Sequence, residues 1–497
     1  MSTPSPVMPH AQRTPAQKYG LYVGIVALVA LLLLPAPVGL PVAGQRMLSI
    51  LVFSVIIWMT EAVSYPVSAA LIMTVMAFLL GTAPDIADPS KSTGTSRGLT
   101  MALGGFSNTA LALVAAALFL SAAMTKTGLD RRIALMVLSK MGARTNRVLI
   151  GVILVGLLLS FFVPSTTARV ACMVPIVMGI ISAFGVSRTS KFAGVLMIAT
   201  AQADSIWNVA IKTAAAQNMI AVGFIEKELN HTITWLEWFT AAFPFGVLMS
   251  IALYWVLMKL MPPEIEQVEG GDETIRREMA GLGRMTIPEK KLLGISLALL
   301  FFWSTEGVLH SFDTSSTTLV AITLMLLPTI GVMDWKETVN KIPWGTILLF
   351  GVGISLGSAI LSTKAASWLA GVIVTTTGLE TAPSLLILAI LAAVLITLHL
   401  GFASATALAA AMIPLVISVL QKVQTPGINI IGMTMVLQYV VSFGFILPVN
   451  APQNMIAYGT DTFTVRDFVR TGVPLTFIAY GLILLLGATY WKLLGLV

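Results

Sequence analysis

The chain carries one set of markers twice, in the same order. Trp58, Thr60 and Glu61 return as Trp303, Thr305 and Glu306. Ser165-Thr166-Thr167-Ala168, followed by Met173 and Pro175, returns as Ser404-Ala405-Thr406-Ala407, followed by Met412 and Pro414. Gln217-Asn218-Met219-Ile220-Ala221 returns as Gln453-Asn454-Met455-Ile456-Ala457, and Thr234 and Pro244 return as Thr464 and Pro474. Chance explains one such pair between apolar segments. A colinear series with slowly changing offsets is a duplication, and it constrains both halves to one architecture.

The repeats are written for lipid. Of 497 residues, 57% are hydrophobic and 10% charged, against roughly 45–50% and about 25% in soluble domains. Mean hydropathy is +0.92. In a bilayer, helices satisfy their own backbone and need apolar exteriors, so the shortage of polar surface is no obstacle. Runs of about 20 apolar residues, long enough to cross, lie near 19–37, 46–63, 66–81, 106–125, 238–261, 291–306, 316–333, 344–363 and 468–494. Stretches 193–224 and 429–458 are too long for one straight helix and carry polar interruptions. Stretches 148–185 and 381–421 are also too long, with a hydroxyl cluster near the middle, and read as hairpins that enter and return on one side. The expectation is an all-α polytopic membrane protein with about eleven transmembrane helices plus two re-entrant hairpins.

An odd number of spans per half makes the two copies inverted. Inverted repeats with interrupted helices characterise secondary transporters, whose site lies at the repeat interface near the midplane. The boundaries follow: a tail and first transmembrane helix at 1–44, a first repeat at 45–261, a cytoplasmic linker at 262–290 and a second repeat at 291–497. Lys126, Arg131, Arg132, Lys140, Arg144 and Arg147 face only Asp130 in one segment, which the positive-inside rule makes cytoplasmic. The N-terminus then lies in the cytoplasm and the C-terminus outside, in the cell's inner (plasma) membrane. The net charge of +7 comes with no basic patch interleaved with aromatics, so no nucleic acid is expected as a partner. A single cysteine, Cys172, leaves no disulfide framework or cysteine metal site, and no metal or cofactor is expected. No ATP-binding loop or catalytic constellation appears, which argues against a pump or an enzyme. A channel would want a continuous polar pore rather than central polar islands.

Those islands define a candidate site. Ser165-Thr166-Thr167 and Ser404-Ala405-Thr406 stand where second hairpin arms begin, so each caps a helix whose free N–H groups and positive end are open to an anion. The alternative is capping with no ligand. Gln217-Asn218 and Asn450-Ala451-Pro452-Gln453-Asn454 interrupt the two long helices, and Pro452 frees a carbonyl. Carbonyls and amides there suit a cation or a substrate hydroxyl; the alternative is a packed proline kink. Asp204, Asn208 and Lys212 share one helix face. Asp204 and Lys212 are roughly 12 Å apart along it and need other partners. Glu61 and Glu306, near span ends, read as structural hydrogen bonds.

At these residues nearly the whole chain resembles the divalent anion:sodium symporter family, carriers of di- and tricarboxylates or sulfate. Trp58-Met59-Thr60-Glu61-Ala62 is similar to its Trp-x-Thr-Glu-Ala element, and Ile342-Pro343-Trp344-Gly345 to the opening of its second-half scaffold helix. The resemblance implies a scaffold domain, a moving transport domain, a homodimer and elevator-type alternating access. Its Ser-Asn-Thr tips fall on Ser165-Thr166-Thr167 and Ser404-Ala405-Thr406, and its helix breaks on Ala215-Ala216-Gln217-Asn218 and Ala451-Pro452-Gln453-Asn454. Substrate would then contact Ser165, Thr166, Thr167, Ser404, Ala405, Thr406, Asn450, Ala451 and Pro452. A symporter would hold sodium near Ser165 and Ala214 and near Ser404 and Asn450. Both tip asparagines of the family are absent here, replaced by Thr166 and Ala405. Arg169 and His399 instead resemble the family's sodium-independent dicarboxylate exchangers. There they would compensate the anion's charge, His399 by taking a proton beside it. The expected activity is exchange of small organic dianions, with sodium-coupled symport of a dicarboxylate, sulfonate or sulfate as the alternative. A structural pair between Arg169 and Asp204 is the competing reading of that arginine.

Overall fold

The computed structural model describes residues 14–142, 144–183, 185–266 and 271–497. The start of the expected tail, residues 1–13, and residues 267–270 of the linker lie outside the described residues. All regular structure described is helical, and no strand forms among these residues.

Among the described residues, eleven helical segments fall on the expected spans: Pro15–Leu33, Val42–Thr60, Tyr65–Gly81, Thr109–Thr127, the broken 191–228, Trp235–Leu260, Ile287–Thr305, Thr314–Leu326, Trp344–Ser362, the broken 430–458, and Val465–Ala488 with its extension Tyr490–Leu493. Local chemistry sets their starts. Thr14 with Gln17, Thr234 with Glu237, Thr286 with Glu289 and Thr464 with Asp467 form reciprocal capping boxes, each satisfying otherwise orphaned N–H groups. The two hairpins are Thr145–Phe162 with Thr166–Ala183, and Ser384–His399 with Ala405–Lys422.

The repeat is legible in the bonds. Trp58 Nε1 donates to Ser68 Oγ at 3.3 Å, and Trp303 Nε1 donates to Thr318 Oγ1 at 3.1 Å. Two further helices, Leu129–Met141 and Ala365–Thr377, also form a repeat pair. Neither was anticipated from the apolar pattern: charged residues interrupt the first, and the apolar run of the second stops short of a spanning length.

The helices fall into two packing groups. The hairpins, the broken helices, Trp235–Leu260 and Val465–Ala488 pack mainly on one another, as do the remaining spans. The broken helices form the axis of the first group: Lys191–Ala210 is buried from Phe192 to Ala210, and Ile430–Val441 from Gly432 to Val441. The Trp344–Ser362 helix faces the second arm of the second hairpin across the groups' boundary.

Candidate functional site

Each hairpin turns through a short non-helical tip, and each long helix opens into a short loop. The first hairpin breaks between Phe162 and Thr166, the second between His399 and Ala405. The first long helix opens between Ala210 and Ala216 around a 3-10 turn, Lys212–Ala214. The second opens between Val441 and Pro452 around Pro448–Asn450. Asn218 Nδ2 closes the first loop by donating to the carbonyl of Asn208 at 2.7 Å, and Asn454 Nδ2 closes the second by donating to that of Gly444 at 2.8 Å. Both bonds reach ten residues back, so the two breaks are copies in three dimensions.

Tips and breaks meet at one cavity of about 590 Å³. Of the expected site residues, Ser165, Thr166, Thr167, Ser404, Ala405, Thr406, Ala451, Pro452, Ala215, Gln217, Gln453 and His399 line it. Ser165 Oγ accepts from Ala168 N at 3.4 Å, and Ser404 Oγ accepts from Ala407 N at 3.3 Å. Both serines therefore cap, and the remaining N–H groups of each first turn, on cavity-lining residues, have no intrahelical partner. Thr166 is tied to Asn208 Oδ1 at 2.9 Å. Thr167 and Thr406 are repeat partners that line the cavity, and among the described residues no hydrogen bond engages either hydroxyl. Among the described residues no aspartate or glutamate lines the cavity, as an anion requires.

Four expected residues lie behind the wall instead. Asn218 and Asn454 are spent on the breaks. Asn450 is a latch: its Nδ2 donates to the carbonyls of His399 at 2.8 Å and of Leu400 and Phe402 at 3.3 Å, and its Oδ1 accepts from Leu447 N at 3.1 Å. Arg169 is fully enclosed at 0% exposure, beside Asp204 at 1%. Its Nε donates to Asp204 Oδ1 at 2.7 Å, its Nη2 to Asn208 Oδ1 at 2.6 Å, and its Nη1 to the carbonyls of Val163 at 2.7 Å and Ala214 at 3.1 Å. The arginine thus faces an acid and the backbone of tip and break, not the cavity. Its charge is cancelled by Asp204 rather than presented to an anion, so the structural pairing describes the geometry. Lys212 donates to the Ile233 carbonyl and lies 3.4 Å from Thr314 Oγ1, whose hydroxyl donates to Glu306 at 2.6 Å. Glu306 is the structural hydrogen-bonding group expected of it, but Glu61 is not: it is exposed at the end of its helix and hydrogen-bonds to nothing among the described residues.

Sequence reasoning missed the opposite wall. Tyr65, Ser121, Thr125, Lys341 and Thr346, all from the second packing group, complete the cavity. Among the described residues Lys341 makes no ion pair, and the nearby Glu337 pairs with Lys126. Lys341 and His399 are thus the cavity's only basic residues among those described. Its position directly before Ile342-Pro343-Trp344 was the available signal.

Two inverted repeats, two tips, two broken helices and an acid-free central cavity define a membrane carrier rather than a channel. The chain belongs to the sodium:sulfate symporter transmembrane family, whose profile matches residues 16–497. It is 56% identical to a membrane protein of Cupriavidus necator over 478 residues, 96% of this chain and 93% of that one. It is 26% identical to the citrate/succinate antiporter of Escherichia coli over 483 residues, 95% of this chain and 97% of the relative. It is also 26% identical to the L-tartrate/succinate antiporter of that species over 487 residues, 95% and 98% of the two chains. The Alcanivorax borkumensis YdaH transporter shares the fold with a TM-score of 0.57 at 12% identity, covering 85% of this chain and 97% of its own.

Proposed function

We propose that the protein exchanges small organic dianions across the inner membrane, binding each between the two hairpin tips. The observation that carries this reading is the cavity: two opposed helix N-termini, two free threonine hydroxyls and no acid in its lining. Ser165→Ala or Ser404→Ala is expected to weaken anion binding by roughly tenfold or more, since a hydrogen bond to a charged group contributes about 1.5–3 kcal/mol. The measurement is titration of purified protein with dicarboxylates; unchanged affinity in both variants would place the anion elsewhere.

Exchange is favoured over sodium symport by what occupies the first expected sodium position. Arg169 Nη1 already donates to the carbonyls of Val163 and Ala214, the oxygens a small cation would need. Asn450 similarly engages the carbonyls of the second tip. Relatives named as antiporters point the same way. The expected result in liposomes is uptake only when they are preloaded with substrate, equal in sodium and in choline. Strong sodium-driven uptake into empty vesicles would replace exchange with symport. Alternating access by one packing group moving against the other, a homodimer, an N-terminus in the cytoplasm and a C-terminus outside complete the proposal.

Lys341 stands on the group that would stay still, so its charge steers anions into the cavity without travelling. Its replacement by Gln is expected to raise the half-saturating substrate concentration several-fold at low salt. The difference should shrink at high salt, because screening removes long-range attraction. Exchange assays at two ionic strengths measure this; a salt-independent change would make Lys341 a direct contact.

A further inference from the structure

Two glutamines brace the breaks across the repeat boundary. Gln453 Nε2 lies 3.1 Å from Ser205 Oγ, and Gln217 Nε2 lies 3.3 Å from Ser442 Oγ. One of these contacts fixes which way a carboxamide points. Ser205 donates its hydroxyl hydrogen to the Ala201 carbonyl at 3.1 Å, which leaves only lone pairs for Gln453. A lone pair needs a donor, so Gln453 must present its NH₂ group there and turn its oxygen away. Gln217 Nε2 also donates, to Ser442 Oγ.

The two Oε1 atoms are then acceptors with nothing to accept. Among the described residues no donor reaches either of them. Neither is sealed in the protein, in contrast to the unpartnered carboxamide oxygens of Gln202, Asn218, Gln438 and Asn454. Both glutamines line the cavity, so these carbonyls look into it, one from each half. A carbonyl oxygen repels a carboxylate and welcomes a donor. An occupant with carboxylates at the two helix ends and only CH₂ groups between them would cover both acceptors and satisfy neither. A hydroxyl on an inner carbon satisfies one, and hydroxyls on both inner carbons satisfy both. Sites that hydrogen-bond a substrate hydroxyl discriminate strongly against the analogue lacking it, because their polar groups are left unpaired.

We infer that the preferred substrate is a hydroxylated short dicarboxylate, its hydroxyls donating to Gln453 Oε1 and Gln217 Oε1. This rests on the dianion reading above and adds the chemistry between the two charges. The test is competition binding of succinate, malate and tartrate to the purified wild-type protein in detergent. These are four-carbon diacids with none, one and two inner hydroxyls. Malate and tartrate are expected to bind at least tenfold more tightly than succinate, and any smaller preference overturns the inference. The same ratio is then measured in Gln453→Met and Gln217→Met, where it is expected to fall. An undiminished preference in both variants overturns the role of the carbonyls, and the wild-type ratio decides if a variant fails to fold. Binding of all three acids alike sinks this inference alone; binding of none sinks the dianion reading with it.

Discussion

Arg169→Met is expected to destabilise the protein by about 3–5 kcal/mol, the range for breaking one side of a buried ion pair. Asp204 would stay enclosed at 1% exposure with its countercharge gone. The Val163 and Ala214 carbonyls would lose their shared donor, and Asn208 Oδ1 would keep only Thr166. The loss is thus mostly that of stranded partners, so removing the acid as well should restore much of it. Arg169→Met with Asp204→Leu is expected to melt closer to the wild type than either single variant. Thermal unfolding in detergent measures all three. A single variant as stable as the wild type would mean that the cluster does not hold tip and break together.

Gly472→Ala is expected to damage stability and binding together. A Cβ on Gly472 would sit 1.9 Å from the Phe445 carbonyl oxygen and 2.8 Å from its carbon. That neighbour is backbone, which cannot rotate aside. The oxygen also accepts from Gln202 Nε2 at 3.0 Å. Displacing it therefore strains the loop containing Gly444, which both lines the cavity and receives the closing bond from Asn454. Overpacking of this kind costs about 1–3 kcal/mol, and the rigid contact argues for the upper end. Gly481→Ala, where a Cβ meets nothing within 4 Å, is the control and should change neither melting temperature nor anion affinity. An unchanged melting temperature in Gly472→Ala would show that the loop yields freely.

The sequence made some of this legible because the signal was local. Hydroxyls at a helix start, glutamine and asparagine inside an apolar run, and their recurrence in the second half located both tips and both breaks. What stayed hidden was tertiary. Nothing near Asn450 in sequence says that its amide turns to three carbonyls around fifty residues earlier. Arg169 and Asp204 were readable as a pair, the competing reading of the arginine, but the carbonyls of Val163 and Ala214 that it also holds were not. Tyr65, Ser121 and Thr346 are ordinary residues of ordinary spans, and only the packing of one helix group against the other brings them to the cavity. Leu129–Met141 escaped because Asp130, Arg131, Arg132 and Lys140 interrupt its apolar run, and Ala365–Thr377 because its run, unlike that at 316–333, stops short of a spanning length.

Arg169 fastens the first tip to the first break, Asn450 fastens the second tip to the second, and the glutamines fasten break to break. A flap that swung out alone would leave buried donors and acceptors bare, so no part of the site can serve as its own door. In the proposed exchange cycle, the cheaper coordinate is the whole assembly gliding past the Trp344–Ser362 helix. There, Gly353 and Gly357 approach Ala410, Pro414 and Phe224 so closely that a single added carbon would lie 2.2–2.6 Å from them. In that cycle, bare glycine on that face would give the helix the smoothness of a rail, and any branched residue placed there would act as a brake.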